Sequence, residues 1–256
     1  MMTGPLERSA VPGELRSNFE PGSTRWAVRR AQWTAMGISL EDQSKPKIAV
    51  VNTSSGLSVC FSHLDEVAKL VAQSIREAGG LPFEIRTTAP SDFVTSAGRK
   101  GRYIMPTRDL VVNDVESAVE GAVLDGIVFL SSCDKTTPAH LMAAARLDLP
   151  SILVIGGYQR GGTWAGCSVD IDTVYESVGA LASGSMSVAE LGDLADSAIQ
   201  GPGVCAGLAT ANTMHCLAEA LGMTIAGSAP TRANSESMLG RASDAGRRIV
   251  EMVADN

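Results

Sequence analysis

No run of eighteen apolar residues occurs in these 256 residues, so no helix is expected to span a bilayer. Basic clusters are missing too: 21 Lys and Arg against 28 Asp and Glu leave a net charge of −7. That balance gives no electrostatic grip on nucleic acid or an anionic membrane, which leaves a small molecule as the expected ligand. Histidine is scarce, and His63, His140 and His215 show no HxxxH or HExxH spacing, so a zinc hydrolase site is unsupported. Capping or packing roles are expected for all three. The opening stretch MMTGPLERSAVPGELRSNFEPGS has no apolar h-region, so neither a signal nor a transit peptide is expected, and the expected location is cytoplasmic.

What is present is ordinary globular composition, 45% hydrophobic and 19% charged. Five cysteines, an odd number spread widely over a chain without an export signal, argue against a disulfide framework. Reduced thiols are expected, either in the core or on a metal.

Residues 1–22 read as an irregular arm and 23–256 as an α/β domain. Apolar runs at 47–52, 82–86, 127–131 and 151–155 predict strands. Helices are predicted over 23–36, 62–78 with Ser62 as N-cap, 106–123, 136–147, 172–183, 187–199, 206–221 and 233–253. Glycines at 156–157 and 161–162 predict a flexible loop. The alternation gives a mainly parallel β-sheet covered by helices on both faces.

In such a fold, loops after the carboxyl ends of strands converge on the ligand. Cys60 and Cys133 each follow a predicted strand, and Cys205 sits in a Gly-Pro-Gly loop. Three thiolates suit a soft iron cluster and leave one iron position open; buried hydrophobic packing is the competing reading for each cysteine. Cys167 and Cys216 are left out of the site. Cys133-Asp134-Lys135 places a thiol, a hard oxygen donor and an amine on one turn, and Asp92, after the second strand, is placed to meet Asp134 as a magnesium ligand or to be an exposed carboxylate. Lys135 is either the ionic partner of Asp134 or, if carbamylated, an anionic ligand. Gly201 to Gly207 looks superficially like a dinucleotide loop, but a helix precedes it where that fingerprint needs a strand.

The segment Cys133-Asp-Lys-Thr-Thr-Pro-Ala-His-Leu-Met-Ala-Ala-Ala145 resembles the dihydroxy-acid dehydratase and 6-phosphogluconate dehydratase family, which includes sugar-acid dehydratases. Ala49-Val-Val-Asn-Thr53, Glu77-Ala-Gly-Gly80 and Ala211-Asn-Thr-Met-His-Cys-Leu-Ala-Glu-Ala-Leu-Gly222 follow in family order. The resemblance implies a 2Fe-2S cluster on Cys60, Cys133 and Cys205, with Mg2+ on Asp92, Asp134 and carbamylated Lys135. It implies dehydration of a 2,3-dihydroxy carboxylic acid to a 2-keto acid, with the Thr-Thr-Pro leaning toward a sugar acid. It also implies that the family's C-terminal domain, which supplies the proton-abstracting serine and a further magnesium carboxylate, is absent. A second chain carrying that half and a homo- or hetero-oligomeric assembly are therefore expected. One departure is the stretch from Ser91 to Gly101, which lacks a Gly-His-Gly-Gly run. Two other readings are a non-catalytic descendant serving binding or assembly, and a nucleotide-binding protein using the glycine loops.

Overall fold

The runs KIAVVN, GIVFLS and SILVI leave no polar face for water, so they need cover on both sides. In the computed structural model, which describes residues 14–89, 91–92 and 101–256, they form β1 (Lys47–Asn52), β3 (Gly126–Ser131) and β4 (Ser151–Ile155), buried throughout. With β2 (Leu81–Arg86) they make one parallel sheet in the order β2-β1-β3-β4. Val50 pairs with Val128, and Val128 with Ile152.

Because side chains alternate across a strand, each strand feeds two cores. Ile48, Val50, Val128, Leu130, Ile152 and Val154 meet α2 (Leu64–Glu77) and α8 (Glu236–Ala254) on one face. Ala49, Val51, Ile127, Phe129, Leu153 and Ile155 meet α3 (Ile104–Ala122) and α4 (Thr136–Leu147) on the other. Among the described residues the remaining helices are α1 (Thr24–Ala35), α5 (Ile171–Ala182), α6 (Val188–Ala198), α7 (Thr210–Ala220) and a short 3-10 turn at Asp42–Ser44. Of the expected arm, residues 14–22 hold turns without helix or strand and 1–13 lie outside the described residues. Ser17 anchors this stretch: its N–H and hydroxyl both donate to buried Asp125, at 3.0 and 2.6 Å.

Three expectations need correction. Ser62 does not cap α2: its hydroxyl donates to the Val59 carbonyl at 3.2 Å, holding the preceding turn, and His63 occupies the N-cap position. Residues 206–209 are not helical, because the neighbouring loop is bonded across to the segment after β4. The glycine loop expected after β4 holds no helix or strand as far as Gly161, but at Gly162 it passes into a hairpin, β5 (Gly162–Trp164) against β6 (Cys167–Val169), which takes Cys167 into a strand. Ala165 and Gly166 turn it with φ of 48° and 79°, the backbone of a tight two-residue hairpin.

The ends of the covered strands strand backbone oxygens away from water, and two of the three histidines meet part of that need. His63 Nε2 donates to the Gly156 carbonyl and His215 Nε2 to the Ser132 carbonyl, both at 2.7 Å. His140 stacks on Phe129 and shares a 2.8 Å bond with the Ser131 hydroxyl. Burial lowers the pKa of all three, to about 3 for His140 and about 4 for His215. All three are buried within the fold, in keeping with the expected capping or packing roles, and burial favours their neutral form.

Two measurements follow from this packing. A Cβ on Gly246 of α8 would stand 2.8 Å from both Ser74 Cβ and the Val71 carbonyl of α2, whereas Gly240 on the same helix faces open space. Gly246→Ala should therefore destabilise by about 1–3 kcal/mol through overpacking, and Gly240→Ala should stabilise by about 0.5–1 kcal/mol through helix propensity; thermal melts report both. For the histidines, the unfolded chain takes up protons below pH 6.5 that the fold resists, so their stabilisation is complete above 6.5 and is lost as pH falls toward 4 and 3. Urea unfolding between pH 7 and 4.5 should show His140→Gln losing up to about 1.4 kcal/mol per pH unit of the wild-type slope.

Candidate functional site

Parallel strands end on the same side, so the loops after β1, β2 and β3 meet at one edge of the sheet. The loop after β1 carries Cys60, which is wholly buried, and the turn after β3 carries Cys133 and Asp134, nearly so. Ser132 ties the two together: its hydroxyl donates to the Cys60 carbonyl at 2.5 Å. Its N–H donates to Thr136 Oγ1 at 3.2 Å, and that hydroxyl donates to the Cys133 carbonyl at 2.9 Å, so α4 begins as the thiol-bearing turn ends.

Cys205 comes from far along the chain. The Val204 N–H donates to the Gly157 carbonyl at 2.9 Å, the Gln159 N–H to the Val204 carbonyl at 2.7 Å, and the Gly203 N–H to the Val59 carbonyl at 3.3 Å. These bonds lay the loop along the edge beside Cys60. Gly203 has φ of 111°, and a Cβ there would lie 2.6 Å from the Gly157 carbonyl. A Cβ on Gly207 would strike the Asp172 carboxylate at 2.3 Å. The glycines that suggested a phosphate loop thus permit close protein packing, and the carboxylate beside Gly207 is unsuited to a phosphate neighbour.

All five cysteines are free thiols. Donation from the Cys133 thiol, outweighing burial and aided by the Ser58 and Ser91 hydroxyls, lowers the Cys60 pKa to about 7. The same bond to Cys60, then burial, raises that of Cys133. Cys205 is raised to about 11 by burial, then by the charges of Cys60 and Asp172. Ionisation of one thiol of the buried pair thus opposes ionisation of its neighbours.

Asp134 Oδ1, 3.4 Å from Cys133 Sγ, is an alternative acceptor for the one proton of that thiol, and Lys135 is ion-paired with Asp134. Lys135 Nζ lies 4.0 Å from Asp92 Oδ1. Burial and the charge of Asp134 raise the Asp92 pKa. The structure brings Asp92, Asp134 and Lys135 together, with Asp134 as the link to the thiols. Phe93 to Lys100, the rest of the departing stretch, lies outside the described residues. Cys167 is exposed on β6, and half-buried Cys216 lies on α7.

Sequence reasoning missed Tyr175 on α5 and Asp172. The Tyr175 phenol is raised by burial and then by Cys205 and Asp92, so it borders the same cluster. Neither residue lies in a recognisable motif. Among the described residues no three His, Cys, Asp or Glu side chains form a ready-made cage for one ion. The donor set is instead divided, with soft thiols on one side and hard carboxylates with an amine on the other. Such a set suits two different metal groups better than one ion.

The family model described as dihydroxy-acid/6-phosphogluconate dehydratase N-terminal matches residues 45–256. A dihydroxy-acid dehydratase of Methanococcoides burtonii is 40% identical over 93% of this chain and 43% of its own length. One from Methanothermobacter thermautotrophicus is 42% identical over 90% of this chain and 42% of its own. One from Pyrococcus abyssi is 37% identical over 94% and 44%. The chain thus spans less than half the length of the curated relatives it matches. By the extent of these matches, the chain belongs to the dihydroxy-acid/6-phosphogluconate dehydratase family, whose N-terminal part it represents.

Proposed function

We propose that this chain is the metal-carrying part of a hydro-lyase that dehydrates a 2,3-dihydroxy carboxylic acid, a sugar acid included, to a 2-keto acid. The observation that carries the reading is the convergence of Cys60, Cys133 and Cys205 with Asp92, Asp134 and Lys135 at one sheet edge, from four separate stretches of chain. Cys60, Cys133 and Cys205 would hold a 2Fe-2S cluster, and Asp92, Asp134 and carbamylated Lys135 would hold Mg2+. When bound, these groups supply Lewis acidity toward substrate oxygens.

The chain's own residues do the rest of the preparation. The loops that carry the thiols are held by backbone bonds and by buried side chains on their carbonyls, so little order has to be gained when a cluster enters. Lys135 lies beside Asp92 as well as Asp134 and neutralises part of their charge while no metal is bound. Its ammonium would first lose a proton, and addition of carbon dioxide to the neutral amine would then form the N–C bond of a carbamate and release a second proton, so that a cation is exchanged for an anion. That change is tolerable only beside a bound cation.

No residue of this cluster is assigned the abstraction of the C2 proton. That role falls to a complementary C-terminal half, on the same protein or a second chain, and the isolated chain is expected to bind metal without efficient turnover. A cytoplasmic, oligomeric enzyme remains the expected setting.

Anaerobic reconstitution with iron and sulfide tests the reading. Cys133→Ser should abolish cluster binding while Cys216→Ser leaves iron and sulfide per chain unchanged; equal iron in both would overturn the assignment. Supplying the segment that corresponds to the remainder of the relatives should restore formation of a 2-keto product from a 2,3-dihydroxy acid, read by a carbonyl-trapping assay.

A further inference from the structure

The stretch from Ala211 to Gly222 resembles the family yet supplies none of the proposed ligands. Its helix, α7, buries Ala211, Asn212, His215 and Ala218. Two of these four are polar, while Leu217 and Leu221 are left exposed. Hydrophobic burial is therefore a weak reason for this helix to dock where it does, and the polar pair demands another.

Asn212 and His215 are three residues apart and so share one helix face. Asn212 Nδ2 donates to the Cys205 carbonyl at 2.9 Å and the Gly207 carbonyl at 2.7 Å, closing the loop that carries the third thiol. His215 Nε2 donates to the Ser132 carbonyl at 2.7 Å, at the residue before Cys133. Ser132 in turn holds the Cys60 carbonyl through its hydroxyl. One short helix face thus grips the backbone of all three thiol-bearing loops, two directly and one through Ser132.

We infer that Asn212 and His215 are positioning residues that set the spacing of Cys205 from Cys133 and Cys60, so that α7 gauges the cluster site. This rests on the reading of those cysteines as ligands. Neither side chain would touch the metal; each acts on a carbonyl whose place fixes a neighbouring thiol. Loss of such supporting bonds weakens metal sites about 10–100-fold.

The test uses the full 256-residue chain, reconstituted anaerobically, and follows iron loss to a chelator and the visible circular dichroism of the cluster. Asn212→Asp keeps the shape but cannot donate, and His215→Leu removes the other bond. Each should release iron about tenfold faster or more and alter the visible spectrum. Gly246→Ala, which lowers stability away from the site, should change neither. His215→Gln, whose amide can reach the carbonyl from the Nε2 side, should restore retention, and His215→Asn, which is too short, should not. Should either first variant fail to fold, the Gln and Asn pair decides. Wild-type retention in Asn212→Asp and His215→Leu, or equal retention in His215→Gln and His215→Asn, overturns the inference. If Cys133→Ser itself keeps its iron, the failure lies with the ligand assignment instead.

Discussion

Stranded backbone oxygen at the end of a covered strand is the constraint on which this site depends. A parallel sheet with helices on both faces carries its strand ends into regions that water reaches poorly, and a buried carbonyl without a partner costs about 1–3 kcal/mol. Here the carbonyls of Cys60, Ser132, Gly156 and Cys205 are met by Ser132, His215, His63 and Asn212. Three of these bonds join segments 72 to 93 residues apart, and the fourth ties the Cys205 loop to the helix that follows it. The need to satisfy backbone therefore also immobilises the loops that carry the chemistry.

Electrostatics then gives the site its character. Among the described residues, three thiols and the carboxylates of Asp92, Asp134 and Asp172 share the edge with the Lys135 ammonium. Their mutual effect is visible in the raised pKa values of Cys133, Cys205 and Asp92 and the lowered value of Cys60. A cluster of this sign holds its protons until a cation replaces them, so on the proposed function metal binding releases protons and grows stronger as pH rises.

Much of the fold could be read from local pattern. The runs at 47–52 and 151–155 and the helix at 136–147 carry strong, uninterrupted signals, and their observed bounds agree. Ala165-Gly166 between two short runs was a readable hairpin signal, hidden by the surrounding glycines. Ser62 looked like a cap because cap chemistry is local, but a turn used its hydroxyl first. The start of α7 was misplaced because bonds from the Cys205 loop to Gly157 and Gln159 depend on partners about 46 residues away.

By itself the sequence determined which residues could carry chemistry: thiols after apolar runs, a Cys-Asp-Lys turn, histidines without metal spacing. Strand and helix periodicity act over a few residues, and so does the identity of a donor atom. Only the tertiary structure decided which donors meet, that Asp92 comes to Lys135 and Cys205 to Cys60, and that Asn212, His215 and Tyr175 belong to the same edge. The physical reason is that these meetings are set by the pairing of β1 with β3 and β4 and by carbonyls that need partners, and neither leaves a mark within a window of neighbouring residues.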